Sequence, residues 1–187
     1  LPWRGLCSCW TWGDVRDGEL ILWVGVLYIM SKQSDIQWGE GWVWPVPRDT
    51  AQALGKPVIT QEFRRPSHLG VDIMYRSGDR FVAPEGTPIL AARSGTVWST
   101  GQTARGWNVV VDHGPPFATF YQHLAAEPDV VKGDLVAAGQ RIGVMGIDPT
   151  DGEGVRHLHF AVWYQGAGDS ASVDPSVAMM RWAVLTA

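Results

Sequence analysis

The sequence predicts a mainly β domain, and three observations carry that prediction. Apolar β-branched and aromatic residues come in short runs, as strands require. The runs are separated by turn formers: Ser77-Gly-Asp79, Pro84-Glu-Gly86, Ser94-Gly95, Gly114-Pro-Pro116 and Lys132-Gly-Asp134. The 22 glycines mostly punctuate such turns and build no phosphate-binding loop, and no internal repeat or low-complexity tract is present.

In chain order, residues 58–63 and 71–75 are rich in Val and Ile and are bounded by polar or glycine-containing segments. Residues 88–92 and 96–100 flank the Ser94-Gly95 turn, and 108–112 carries the run Val109-Val-Val111. Residues 118–123 are aromatic, 143–146 lie between two turns, and 157–164 alternate large and small apolar side chains. Near the end, Val177, Met180, Ala183 and Val184 recur at helical spacing, which predicts a short helix over 176–186.

With 187 residues the chain has room for one domain and an extension. Its formal net charge of −4 gives no electrostatic case for nucleic-acid binding. Only Cys7 and Cys9 are present, so no disulfide framework holds the fold, and the two read as incidental thiols.

The five histidines are the most specific chemical signal. Four fall in three motifs: His68-Leu-Gly-Val-Asp72, Tyr121-Gln-His123-Leu124 and His157-Leu-His159. Two histidines and one carboxylate suffice to hold a catalytic zinc, with a fourth position left for water. The other two histidines can then carry protons near neutral pH. On a strand, residues i and i+2 share a face about 6.5–7 Å apart. That spacing makes His157 and His159 one ligand and one neighbouring acid/base, rather than a tight pair on one metal. His68 and Asp72 are expected at the two ends of one face of an extended segment, with Gly70 allowing a bend or a close backbone approach. His113 precedes a Gly-Pro-Pro turn and reads as structural.

With these motifs the chain resembles the lysostaphin-type, LytM-like zinc endopeptidases. The likeness runs from about Trp44 to Val162: Trp44-Pro-Val-Pro47, His68–Asp72, Ala83-Pro-Glu-Gly-Thr-Pro88 with its continuation to Val97, Val109–Gly114, Tyr121–Leu124, Lys132-Gly-Asp134 with its continuation to Gly143, and His157–Phe160. The resemblance implies an antiparallel β-sheet catalytic domain over 44–187. It implies one zinc per chain on His68, Asp72 and His159, and His123 and His157 as the catalytic histidines. It also implies peptidoglycan as substrate, with peptide cross-links or stem peptides cut in the cell envelope, outside the cell or from a phage virion. Two segments depart from the family pattern. Gln61-Glu-Phe-Arg-Arg65 replaces a Gly-Phe-Gly-x-Arg run, and the loop 147–156 lacks Thr-Gly-x-Ser and carries extra acid. Both bear on substrate preference.

Two other classes compete. A metal-free member of the family could act as a scaffold or activator of wall hydrolases, although all five functional positions are filled. A biotinyl- or lipoyl-type carrier would share the Val131–Gly143 hairpin pattern, but Met145 is followed by Gly146, and Lys132 lies in the wrong part of the hairpin.

Residues 1–43 form a Trp-rich extension, and residues 1–44 hold seven of the eleven tryptophans. Its apolar run, 20–30, is shorter than the ~20 residues a membrane span needs, and Asp14, Asp17 and Glu19 precede it where a secretory signal wants positive charge. Met30-Ser-Lys32 fits a translation start, which would make residues 1–29 an upstream extension. Otherwise the segment reads as an imperfect anchor, or as a contact to a membrane, virion or envelope protein.

Overall fold

The computed structural model describes residues 36–152 and 154–186. The expectations for Cys7, Cys9, the 20–30 run and Met30 lie outside these residues. One compact unit spans Trp38–Ala187. No described helix is long and apolar enough to cross a membrane.

The unit is built on an antiparallel sheet. Its strands are β1 (Pro57–Gln61), β2 (Val71–Ser77), β3 (Arg80–Val82), β5 (Gly95–Thr103), β6 (Gly106–Asp112), β7 (Phe117–Leu124), β8 (Leu135–Val136), β10 (Leu158–Tyr164) and β11 (Ser172–Val173). The spatial order is β1-β2-β10-β7-β6-β5-β8, with β3 pairing β2 and β11 pairing β10. β4 (Pro88–Leu90) and β9 (Arg141–Val144) form a separate antiparallel pair. The short strands β3, β8 and β11 escape the sequence prediction, because two or three residues are too few to show a period. The C-terminal helix α1 is confined to Ser176–Met179. Residues 183 and 186 instead bridge to Val43 and Arg48, so backbone pairing replaces the last turns of the predicted helix.

The central strands share one core face. Tyr121 on β7 and Leu158, Phe160 and Val162 on β10 are fully buried, as are Ile73 on β2 and Val109 and Val111 on β6. These side chains form the core face of the sheet, as period-two alternation requires. The β4–β9 pair contributes Ile89 and Ile142, also fully buried. The two layers are tied by the Ala92 backbone N–H, which donates to the Tyr121 hydroxyl at 2.7 Å. The opposite face of the central strands carries Asp72, Phe120, Gln122, His159, Ala161 and Trp163, and these line an open groove of about 820 Å³.

Trp38 and Trp42 belong to this unit. Trp42 stacks on Trp182 with centroids 4.7 Å apart, and Trp38 stacks on Phe117 at 5.3 Å.

Candidate metal centre and catalytic groove

β2 and β10 are neighbours, with Asp72 directly opposite His159. Directly opposite residues bring their side chains together on one face, and Asp72 Oδ1 lies 3.0 Å from His159 Nδ1. His68 arrives differently from the sequence expectation. It is not on an extended segment with Asp72, because β2 begins only at Val71. Four extended residues would separate the two by about 13 Å. Instead, Arg64 and His68 bridge each other in a tight turn, and the chain bends at Gly70 before the strand. The bend folds His68 back, so that its Nε2 lies 3.0 Å from Asp72 Oδ1 and 3.1 Å from His159 Nδ1.

Gly70 makes this approach feasible. A Cβ there would stand 2.6 Å from the Phe160 carbonyl oxygen and 2.8 Å from His159 Nε2.

The tautomer of His68 follows from its partners. A carbonyl oxygen only accepts, so His68 Nδ1–H donates to the Glu62 carbonyl at 2.9 Å, and Nε2 is left with a lone pair. That lone pair, His159 Nδ1 and an Asp72 oxygen converge. Burial pushes the Asp72 carboxyl up, but the close contacts with the His159 and His68 rings outweigh it and hold the group well below the usual carboxylate range. The Asp72 contact, partly opposed by burial, raises the proton affinity of His68. A triangle of donor atoms with edges of 3.0–3.1 Å is within a few tenths of an ångström of the ~3.3 Å spacing around tetrahedral zinc. Two nitrogens and one carboxylate oxygen also match zinc's ligand chemistry. Among the described residues, the donor set fits the metal.

His123 reaches the same face through a backbone irregularity. Counting from core-facing Thr119 and Tyr121, strict alternation would point residue 123 into the core. Trp107 pairs Leu124 while Asn108 pairs Gln122, so His123 is the extra residue of a β-bulge. Its φ of 68° is left-handed, a conformation in which His is over-represented among non-glycine residues. Bulges re-aim side chains in this way. The His123 ring consequently lines the groove, 4.6 Å between centroids from His157 and 6.0 Å from His159. Its Nδ1–H donates to the Arg105 carbonyl at 2.8 Å, leaving Nε2 as the basic nitrogen. Burial, joined by the neighbouring histidines, pushes its proton affinity down. His157 lies one residue before β10, and its Nδ1–H donates to the Val155 carbonyl at 3.1 Å.

Two polar neighbours of His123 are not predictable from motif spacing. Asp148 is buried, and its Oδ2 lies 3.9 Å from His123 Nε2 and 3.3 Å from the Arg105 guanidinium. Its Oδ1 accepts from the Thr150 backbone N–H at 2.8 Å and from the Thr150 hydroxyl at 2.6 Å. Burial raises the Asp148 carboxyl, but these Thr150 bonds, with His123 and the Arg105 guanidinium nearby, bring it below its ordinary value. The sequence signal was the unusual acid of the 147–156 loop, with nothing to say which carboxylate turns inward.

Residues 67–175 match the model of peptidase family M23. The chain belongs to this family. Over 91 residues the M23 chain is 36% identical to the peptidoglycan DD-endopeptidase ShyA of Vibrio cholerae, a stretch covering 48% of this chain and 20% of that protein. Among solved structures it is similar to a zinc-containing peptidase from Vibrio cholerae (TM-score 0.55, 26% identity, 73% of this chain and 40% of the other). It also shares the fold of the catalytic domain of lysostaphin from Staphylococcus simulans (TM-score 0.51, 23% identity, 80% of this chain and 96% of the other). The antiparallel architecture expected for 44–187 is that of these M23 catalytic domains.

Proposed function

We propose that this chain is a zinc-dependent endopeptidase that hydrolyses peptide cross-links or stem peptides of bacterial peptidoglycan, acting in the cell envelope. One observation carries the proposal: His68, Asp72 and His159 converge within about 3 Å, with His123 and His157 ring to ring beside them in one open groove. His68, Asp72 and His159 would hold one zinc, which when bound polarises the scissile carbonyl and acidifies a coordinated water. The similarity to ShyA and to a zinc-containing peptidase supports the substrate and the metal.

The remaining chemistry belongs to the two free histidines. Each donates its Nδ1–H to a backbone carbonyl, which fixes the ring and leaves Nε2 to exchange protons. One takes the proton of the attacking water, and the other stabilises the tetrahedral oxyanion or protonates the leaving amine. The lowered proton affinity of His123 favours its neutral form, the state a base requires.

Metal analysis and hydrolysis of purified peptidoglycan test this together. The protein should bind close to one zinc, His159→Ala should lose it, and Asp72→Asn should weaken it, because a neutral amide is a poor ligand. His123→Ala and His157→Ala should keep zinc and lose roughly 10²–10⁴ in rate. Undiminished zinc in His159→Ala would overturn the ligand set. A wild-type protein that binds zinc but cleaves nothing would instead be a scaffold.

A further inference from the structure

A run of aromatic rings leaves the groove on the side away from His123. The Phe120 ring lies 6.4 Å from the His159 ring and stacks at 12° on Trp163, 5.6 Å away. Trp98 continues the run edge-on to Trp163, at 6.4 Å. Phe120 and Trp163 line the groove with His159. Trp98 reaches the same face by alternation, as the neighbour of core-facing Val97, and it sits at a bulge in β5 between Val97, opposite Val111, and Ser99, opposite Val110. Its side chain is 48% exposed. The floor beside these rings is cut down to small residues, since Ala161 pairs Phe120 and Ala118 pairs Trp163. The core packing explains none of this, because the rings lie on the face opposite Tyr121 and Phe160.

We propose that Phe120, Trp163 and Trp98 form a saccharide subsite, seating a sugar of the glycan strand while the attached peptide enters the histidine end of the groove. The inference rests on the hydrolase reading given above. A pyranose has an apolar C–H face and polar edges, so it can cover an aromatic ring while its hydroxyls stay wet. The three rings carry no charge, which suits a neutral N-acetylated hexosamine. Asp169 lines the groove just before β11, which pairs β10 at Trp163, and is exposed to accept hydroxyl hydrogen bonds. The length also matches. A stem peptide of three or four residues spans about 10–14 Å when extended, and the shelf leads away from His159 in three ring-to-ring steps of 5.6–6.4 Å.

The test compares a glycan-bearing substrate with a sugar-free cross-linked peptide, using Trp98→Ala and Trp98→Tyr. Trp98 is half-exposed and remote from the metal ligands, so both variants should fold. Trp98→Ala should raise KM for glycan-bearing material roughly tenfold with little change in kcat, and Trp98→Tyr should restore it. Hydrolysis of the sugar-free peptide should be unchanged. A calorimetric titration with an N-acetylglucosamine tetramer should show binding that Trp98→Ala abolishes. Equal losses on both substrates would overturn the proposal in favour of a peptide-reading shelf, and so would no loss on either. If the wild-type protein cleaved neither substrate, the hydrolase reading would fail, while the tetramer titration would still decide the subsite.

Discussion

His113 shows how one half-buried side chain can be fixed by its hydrogen bonds. Its Nδ1–H donates to the Ser94 carbonyl at 3.0 Å, and its Nε2 lies 2.8 Å from the Thr119 hydroxyl. Thr119 is in turn 2.9 Å from the Tyr121 hydroxyl, which accepts from the Ala92 N–H. Thr119 donates to Tyr121, and both hydroxyls can also accept, so the contacts join into one buried chain. Burial is the main cause that brings the pKa of His113 down to about 4. A histidine lowered in this way binds its proton less readily when folded than when unfolded. Its contribution is therefore complete above the unfolded value near 6.5 and is lost as pH falls towards 4. Urea unfolding across that window should show a falling midpoint, to which His113 contributes up to about 3 kcal/mol. His113→Gln should flatten the pH dependence. An unchanged slope would show that other groups carry it.

Between elements, the β2–β10 contact brings together the residues proposed to hold the metal. The register sets Asp72 opposite His159, and the bend at Gly70 brings His68 over both. A methyl group at Gly70 would meet backbone as well as the His159 ring, and backbone cannot move aside cheaply. We expect Gly70→Ala to cost about 1–3 kcal/mol in unfolding free energy and to weaken zinc affinity at least tenfold, measured by competition with a chelator. Zinc affinity within twofold of wild type would mean that the turn tolerates a shift without moving His68. The bulges at His123 and Trp98 act at the same scale. Each places an extra residue in one strand, and the one at His123 sends its ring to the groove face.

At the scale of the whole molecule, the compact unit begins at Trp38, ahead of the boundary near Trp44 that composition suggests. Trp38 stacks on Phe117 and meets Trp42 and Trp182 edge-on at 5.7 and 5.8 Å. The Trp42 indole N–H also donates to the Trp38 carbonyl at 2.6 Å. A chain trimmed to 38–187 should fold and bind zinc like the full chain. One starting at Gly41 should lose about 1–3 kcal/mol, from the buried aromatic area and the hydrogen bond. Chemical unfolding of the two chains checks this, and equal midpoints would show that the aromatic cluster closes without Trp38.

The sequence by itself determined the fold class and most strand positions, and it singled out the five side chains proposed for the chemistry. Turn formers, alternation and histidine motifs are local signals that survive in one dimension. It also marked Gly70 as a place of close approach. Only the tertiary structure decided how the motifs meet. Strand neighbours 87 positions apart, Asp72 and His159, are joined by a register that no local pattern encodes. The fold of His68 back onto them depends on a turn, where the spacing alone suggested an extended run. His123 turns to the groove because one extra residue interrupts the ladder, and a bulge reverses the side-chain face that simple alternation assigns. Asp148 and the aromatic shelf were invisible for the same reason: their meaning lies in what stands opposite them across the sheet and the loop.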